Sequence, residues 1–140
     1  MLVIIKNGDH RCVETIYTGL GNVIYDKFRV IAEIDREIAR YYLSLIPKSK
    51  CVCPQMYPPH ITIVRSPPKE IVPIEKRDKW GKWEEHKVLF GYDGRIQYRK
   101  PYFYLNVWSP KIGKIRKELG LPKHRNGFSC YHITLGNIKE

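Results

Sequence analysis

Two stretches decide how this chain folds: PPHITIV at residues 58–64 and CYHITLG at residues 130–136. Each contains His-Ile-Thr within a run of strand-forming residues. The chain has five histidines and four threonines among 140 residues, so two such pairs arise by chance in about one sequence in a hundred. The repeat is therefore interpreted as a functional motif. The alternative is a pair of ordinary strands, each with a partly buried histidine.

His60 and Thr62 share one face of the first predicted strand, and His132 and Thr134 share one face of the second. This follows because side chains alternate across a β-strand, and the isoleucine between each pair then faces the core. If the two strands face one another, two imidazoles and two hydroxyls meet in a single cleft. Such groups can transfer protons and donate hydrogen bonds around a phosphate group without a metal.

The composition favours a single domain with an anionic partner. The length of 140 residues, with 43% hydrophobic and 28% charged residues, is ordinary for one globular domain. The net charge of +11 favours nucleotides or RNA as the partner, although solubility is an alternative explanation. No apolar run approaches the roughly 20 residues of a membrane helix or forms a signal peptide. We therefore expect a cytoplasmic monomer (in the host cytoplasm if the chain is viral) with no membrane association and no obligate protein partner.

The four cysteines do not form a recognisable metal-binding pattern. They are Cys12, Cys51, Cys53 and Cys130, without a C-x-x-C pair or a Cys/His spacing of the zinc type. Reduced thiols are expected in the cytoplasm. The sequence therefore predicts no metal site and no cofactor.

The predicted elements of the first half are strands at residues 2–6, 12–17 and 27–33 and a helix at 35–46. An Asn-Gly pair at residues 7–8 is a hairpin signal. Residues 1–25 are therefore expected to form an N-terminal hairpin, with another turn at 19–22. Asp35 offers an N-cap for the helix.

The predicted elements of the second half are strands at residues 88–92, 95–98 and 102–108 and a helix that begins at Pro110. Ser109 offers the N-cap of this helix and Gly120 its C-terminal stop. The proline-rich stretch 66–87 is long for a loop, so it is either a functional loop or a linker between lobes.

The order strand, helix, loop and His-Ile-Thr strand occurs twice. His60 lies 32 residues after Phe28 of the first copy, and His132 lies 29 residues after Phe103 of the second. This pattern predicts one domain over residues 1–140 with an internal duplication. Its lobes would cover about residues 27–65 and 88–137 and would place the two motif strands about a shared groove.

The paired His-x-Thr motifs resemble those of the two-histidine (2H) phosphoesterase superfamily. That group includes RNA 2′,3′-cyclic phosphodiesterases, RNA ligase-like 2′-5′ enzymes and viral phosphodiesterases that destroy nucleotide immune signals. The resemblance spans about residues 27–137 and is greatest to small phage and bacterial members. It implies an α+β, bilobal, pseudo-two-fold fold in which two antiparallel sheets line a central groove and helices lie outside. It also implies that His60 and His132 are the acid–base pair and that Thr62 and Thr134 contact the phosphate.

Six further residues are candidates for substrate binding: Tyr57, Arg65, Trp80, Lys123, Arg125 and Tyr131. The tyrosines could stack on a base or pack locally. The tryptophan, with Trp83, could form a stacking platform or pack onto the sheet. The basic residues, with His124, could close over phosphates or be solvated. Arg65 would lie on the opposite face from Thr62 in a regular strand, so a phosphate contact requires a bend.

The sequence therefore predicts a metal-independent phosphodiesterase that acts on a ribonucleotide by two-histidine general acid–base catalysis. The substrate could carry a 2′,3′-cyclic phosphate, a 2′-5′ linkage or a cyclic oligonucleotide structure. The alternative is a non-catalytic RNA- or nucleotide-binding module that uses the same basic groove. A third hypothesis is a structural protein in which the two motifs are coincidental.

Overall fold

The computed structural model of the protein describes residues 4–6, 16–125 and 128–138. These residues form nine strands and two α-helices. In chain order, the elements are β1 (Ile4–Lys6), β2 (Ile16–Tyr25), β3 (Val30–Glu33), α1 (Arg36–Leu45), β4 (Val52–Pro54), β5 (His60–Val64), β6 (Lys87–Asp93), β7 (Ile96–Arg99), β8 (Tyr102–Trp108), α2 (Pro110–Glu118) and β9 (Tyr131–Ile138). Residues 74–79 add a short 3₁₀ helix to the long segment before β6. The protein is therefore a mixed α+β protein in which strands predominate.

Six of the strands close into an antiparallel barrel in the order β2–β3–β5–β9–β8–β6. Strands β7 and β4 extend the sheet from β8 and β9, and β1 pairs in parallel with β7. The expected pair of separate sheets is thus replaced by one continuous sheet. The two halves are joined at two places: β2 pairs with β6 along seven residues, and Ile61 pairs with Ile133 across β5 and β9. Both side chains are fully buried at this junction.

The two halves of the chain have a similar order of elements. The first half runs β2, β3, α1 and β5, and the second runs β6, β8, α2 and β9, with β4 and β7 as additions. An antiparallel strand pair has a local two-fold axis. An axis through the β5–β9 pair exchanges β3 with β8 and β2 with β6, and each of these exchanges preserves the strand pairing. Equivalent positions of the two motifs therefore lie on either side of this axis.

The six barrel strands each contribute one face to the hydrophobic core. Across the sheet, Val23 pairs with Ala32, Ala32 with Ile61, Ile61 with Ile133, and Ile133 with Leu105. All five side chains are completely buried. Because side chains alternate, the histidines and threonines of the motifs point away from this core.

Strand β2 is continuous through residues 19–22, where the sequence pattern predicted a turn. A Cβ atom at Gly19 would lie 2.6 Å from Cζ of Phe90, and one at Gly21 would lie 3.0 Å from Cβ of Ala32. The glycines therefore make room for neighbouring core side chains and do not mark a turn. Strand β1 pairs with β7; the turn of the predicted N-terminal hairpin at residues 7–8 lies outside the described residues.

The helices begin and end where the sequence predicts. The Asp35 side chain accepts a hydrogen bond from the amide of Glu37, 2.9 Å away, and Ser109 caps α2 through the amide of Ile112. Gly120 adopts φ +76° just after α2, a conformation that favours glycine. Within the described ranges, neither helix has the length and apolar character needed to cross a membrane.

Candidate active site

The four motif side chains lie on one face of the β5–β9 pair, which we call the motif face. The antiparallel register through the two central isoleucines places His60 level with Thr134, and Thr62 level with His132. Side chains opposite one another are about 5 Å apart at Cβ, and diagonal neighbours about 7–8 Å. The two histidines are diagonal neighbours, so their rings can reach a single group bound between them. All four side chains are partly exposed.

The tautomer of His60 is set by the loop before β5. Its Nδ1 lies 2.9 Å from the carbonyl oxygen of Pro58. Because a carbonyl only accepts hydrogen bonds, Nδ1 carries a proton and Nε2 is the nitrogen that can exchange a proton with a ligand. On the neighbouring strand, the exposed Glu33 lies level with His60.

His132 is enclosed by aromatic rings. Its ring centroid lies 4.6 Å from that of Tyr104 and 5.3 Å from that of Phe128, both edge to face. Asn106 lies level with His132 on β8, is fully buried, and accepts a hydrogen bond from the thiol of Cys130. Burial raises the pKa of Tyr104, although the positive charge of Arg99 acts in the opposite direction. The ring of His132 therefore packs against two aromatic side chains.

Each motif strand is irregular directly after its threonine. The register of β5 against β3 shifts between Thr62 and Val64, and that of β9 against β8 shifts between Thr134 and Gly136. One extra residue, Ile63 or Leu135, is accommodated in each strand as a β-bulge. The bulges occupy equivalent positions about the two-fold axis.

Arg65 directly follows the strand that carries the first bulge. Its Nε lies 3.5 Å from the Glu70 carboxylate. A contact between Arg65 and a phosphate stays a prediction. The backbone amide of Arg65 donates to the Glu70 carboxylate at 3.0 Å, which holds the end of the strand.

A buried arginine supports this bulge from α2. Arg116 is 1% exposed and donates to the carbonyl of Ile63 at 2.6 Å and to the carbonyl of Pro122 at 2.8 Å. It also forms two hydrogen bonds with the Glu70 carboxylate, at 2.6 and 3.0 Å. Burial alone would raise the pKa of Glu70, but the hydrogen bonds and charges of Arg116 and Arg65 outweigh it and lower that pKa.

Arg125, in the loop before β9, lies near the motif face. The guanidinium carbon of Arg125 lies 4.5 Å from the ring centroid of Phe128, and that of Arg99 lies 5.4 Å from it. Burial lowers the pKa of Arg125, and the nearby guanidinium of Arg65 lowers it further. Positive charge is therefore concentrated beside His132.

Tyr57 lies at the opposite side of the motif face. It is 64% exposed, and the guanidinium carbon of Arg29 lies 6.0 Å from its ring centroid. Arg29 precedes β3 by one residue and is two positions from Ile31, which pairs with Thr62. Tyr57 therefore stands at the β3 side of the site.

Three of the sequence-predicted substrate-binding residues lie elsewhere. Tyr131 is on the core face, because it alternates with His132, and its hydroxyl donates to the carbonyl of Lys123. Lys123 lines a surface concavity of about 450 Å³ against α2. Trp80 packs edge to face on Tyr25 and donates to a backbone carbonyl at 3.3 Å. Tyr131 and Trp80 therefore pack against neighbouring residues, which was the alternative to stacking on a base.

Five residues at the motif face were missed by the sequence analysis: Arg29, Arg99, Tyr104, Asn106 and Phe128. The strand β8 was predicted, but its alternating polar positions were hidden in a mostly apolar run. A signal was present for Phe128, which precedes the second motif much as Tyr57 precedes the first. No comparable sequence signal exists for the two arginines, because only the strand pairing brings them to this face.

Among the described residues, no group of three or more His, Cys, Asp or Glu side chains is arranged to hold a metal ion. Comparisons with models of protein families, with curated proteins and with solved structures found no match to this chain.

Proposed function

We propose that this protein is a metal-independent phosphodiesterase that cleaves a ribonucleotide phosphodiester by two-histidine general acid–base catalysis. One observation carries the proposal: the register of β5 against β9 brings His60, Thr62, His132 and Thr134 to one face. The candidate substrates are a 2′,3′-cyclic phosphate, a 2′-5′ linkage or a cyclic oligonucleotide signal. The enzyme would act as a cytoplasmic monomer.

The motif face supplies each group that such a reaction needs. One neutral imidazole removes the proton from the attacking water or ribose hydroxyl as the new P–O bond forms. The other imidazole, in its protonated form, transfers a proton to the leaving oxygen as the old P–O bond breaks. Each proton transfer is worth about 10²–10⁴ in rate. The hydroxyls of Thr62 and Thr134 donate hydrogen bonds to the nonbridging oxygens, where negative charge develops.

The two histidines have different surroundings. His60 has the Pro58 carbonyl on Nδ1. His132 lies against Phe128, whose ring contacts two guanidinium groups. In the proposed reaction one of these imidazoles is the acid and the other is the base.

Arg65 and Arg125 are the residues best placed to attract the substrate's phosphate. The guanidinium of Arg65 is close enough to lower the pKa of Arg125. The Glu70 carboxylate lies 3.5 Å from Nε of Arg65 and is shared with Arg116. Two guanidiniums close to one engaged carboxylate favour a bound anion. The net charge of +11 agrees with an anionic substrate.

The fold also supports a place in the 2H superfamily. The two-fold axis relates one His-Ile-Thr strand to the other, and each strand is followed by an equivalent bulge. We propose that the halves of the barrel correspond to the two lobes of that fold and that the motif face corresponds to its central groove. In this protein, the lobes would be joined through both the β5–β9 and the β2–β6 pairs.

The test is turnover in the presence of EDTA with three substrates: a 2′,3′-cyclic nucleotide, a 2′-5′ oligoadenylate and a cyclic dinucleotide. We expect at least one to be cleaved and His60→Ala or His132→Ala to lower kcat by about 10²–10⁴. Thr62→Val and Thr134→Val should each lower kcat by about 10²–10³. His86→Ala is the matched control, because His86 is exposed and lies in the segment before β6.

Turnover that survives both histidine substitutions, or that is lost equally in the His86 control, would overturn the proposal. Analysis of the products identifies the nucleophile, since water and a ribose 2′-hydroxyl give different phosphate ends.

A second candidate function is RNA binding without turnover. The concavity against α2 is lined by Lys114, Lys117 and Lys123, with Glu118 as the acidic member. The Glu118 carboxylate is already engaged by Trp83 and Lys82. Tight RNA binding that is lost on Lys114→Glu and Lys117→Glu, with no cleavage of any substrate, would favour this function.

A further inference from the structure

The motif face is bordered on each side by an aromatic ring that contacts at least one arginine. Tyr57 lies three residues before His60, and Phe128 lies four residues before His132. Both belong to the segment that leads into a motif strand, so the two-fold axis places them on opposite sides of the face. We define Tyr57 with Arg29 as the first wall and Phe128 with its arginines as the second wall.

We propose that the substrate carries a nucleobase on each side of the scissile phosphate, one against each wall. The substrate class is then a dinucleoside phosphodiester unit, linear or cyclic, and not the cyclic phosphate of a single nucleoside. This inference rests on the proposed function and specifies its substrate.

The second wall is in direct contact with the catalytic group. The ring of Phe128 meets the ring of His132 edge to face at 5.3 Å, and the guanidiniums of Arg99 and Arg125 lie over it. Unpaired bases stack on aromatic rings and on guanidinium planes. A guanidinium that lies over a ring offers a flat face to the base and N–H groups to a phosphate oxygen. A base bound here places its own phosphate next to His132.

The first wall has the same composition on the other side of the face. Tyr57 is exposed, and Arg29 lies over its ring at 6.0 Å. The Arg29 side chain is held by Asp26, whose carboxylate accepts from Nε at 2.9 Å. Since the Pro58 carbonyl next to Tyr57 accepts from His60, this wall is connected to the other catalytic histidine by one residue.

The separation of the walls decides how many bases they can bind. Strands β3, β5, β9 and β8 are consecutive neighbours in the closed barrel, so β3 and β8 lie on opposite sides of it. With adjacent strands about 4.8 Å apart, the straight-line distance between them across a ring of six strands is about 10 Å. The first wall adjoins β3 and the second adjoins β8 and β9. A single base is too small to contact both walls. Two bases splayed to either side of a central phosphate can reach both, with the phosphate over the four motif side chains.

The test compares Tyr57→Leu and Phe128→Leu on substrates that differ in their bases. The substrates are a diadenosine phosphodiester that the wild type cleaves and two analogues, each with one of the bases removed. On the complete substrate, each substitution should lower kcat/KM by about 5- to 150-fold, the range expected for one stacked base. Removal of one of the two bases should abolish the effect of Tyr57→Leu. Removal of the other base should abolish the effect of Phe128→Leu.

The analogues separate stacking from indirect effects. Phe128 contacts His132, so Phe128→Leu can lower kcat on every substrate; only the additional loss on the complete substrate reports stacking. Tyr41→Leu is the control for Tyr57→Leu, because Tyr41 is 58% exposed on α1 and lies outside the site. Thermal melting confirms that each variant is folded.

The proposal is overturned if both analogues are cleaved as efficiently as the complete substrate, or if both substitutions respond to the same base. Absence of turnover in the wild type contradicts the proposed function instead. In that case the walls are tested by calorimetric titration with the diadenosine phosphodiester and with 5′-AMP. Tighter binding of the two-base compound that is weakened in both variants supports the walls, and equal binding of the two compounds refutes them.

Discussion

Glu70→Gln should strongly destabilise the fold. The substitution keeps the volume of the side chain and one carbonyl oxygen, but it replaces the oxygen that lies 2.6 Å from Nη2 of Arg116 with an amide NH₂. Two donors then face each other, and the guanidinium of Arg116, which is 1% exposed, loses its counter-charge. Removal of one partner of a buried ion pair costs about 3–5 kcal/mol.

The size of this effect can be measured by thermal and urea denaturation at pH 7. For a chain of this length, a loss of about 3–5 kcal/mol lowers Tm by about 10–20 °C. Glu37→Gln is the matched control, since Glu37 pairs with Arg40 on the exposed face of α1 and both side chains are well exposed. Its expected cost is below about 0.5 kcal/mol.

The pH dependence provides a second test. The pKa of Glu70 is lowered in the folded state, so its contribution to stability is present above the pKa of an unfolded glutamate, about 4.3. This contribution is lost as the pH falls through the folded value. The difference between wild type and Glu70→Gln should therefore be largest near neutral pH and shrink below about pH 4. A cost under about 1 kcal/mol at pH 7, or a difference that does not change in acid, would refute the reasoning.

Two further predictions concern groups near the motif strands. Burial raises the pKa of the Cys130 thiol to about 11, so at pH 8 iodoacetamide should label Cys130 far more slowly than the exposed Cys51; equal labelling in peptide mass spectrometry would contradict this. Gly136→Ala should cost about 1–3 kcal/mol, because its Cβ would lie 2.5 Å from the carbonyl oxygen of Cys53 and 2.7 Å from Cγ1 of Val52. Thermal denaturation checks it, and an unchanged Tm would show that β4 can move away from β9 without loss.

The local elements of the fold were predictable because their signals are local. Asp35 and Ser109 cap the helices as predicted, since a cap depends only on the next two or three residues. The strand through Gly19 and Gly21 was not predictable from local preference. Glycine there accommodates the ring of Phe90 from the neighbouring strand, and a turn signal and a close approach look the same in sequence.

The site was predictable in part. The positions of some substrate-binding candidates follow from the alternation of side chains along a strand. The positions of others depend on contacts between distant parts of the chain. Tyr131 could have been excluded, because it alternates with His132 and must face the core. Arg65 could not have been placed, because its partner Glu70 is held by Arg116, which lies far along the chain.

The sequence by itself determined that each motif strand carries a histidine and a threonine on one side and an isoleucine on the other, because strand alternation is a property of consecutive residues. Tertiary structure alone decided that β5 and β9 are neighbours in a register that places His60 diagonal to His132. Register depends on which apolar faces close the barrel core, and that is settled by Ile61 and Ile133 meeting across some 70 residues of chain.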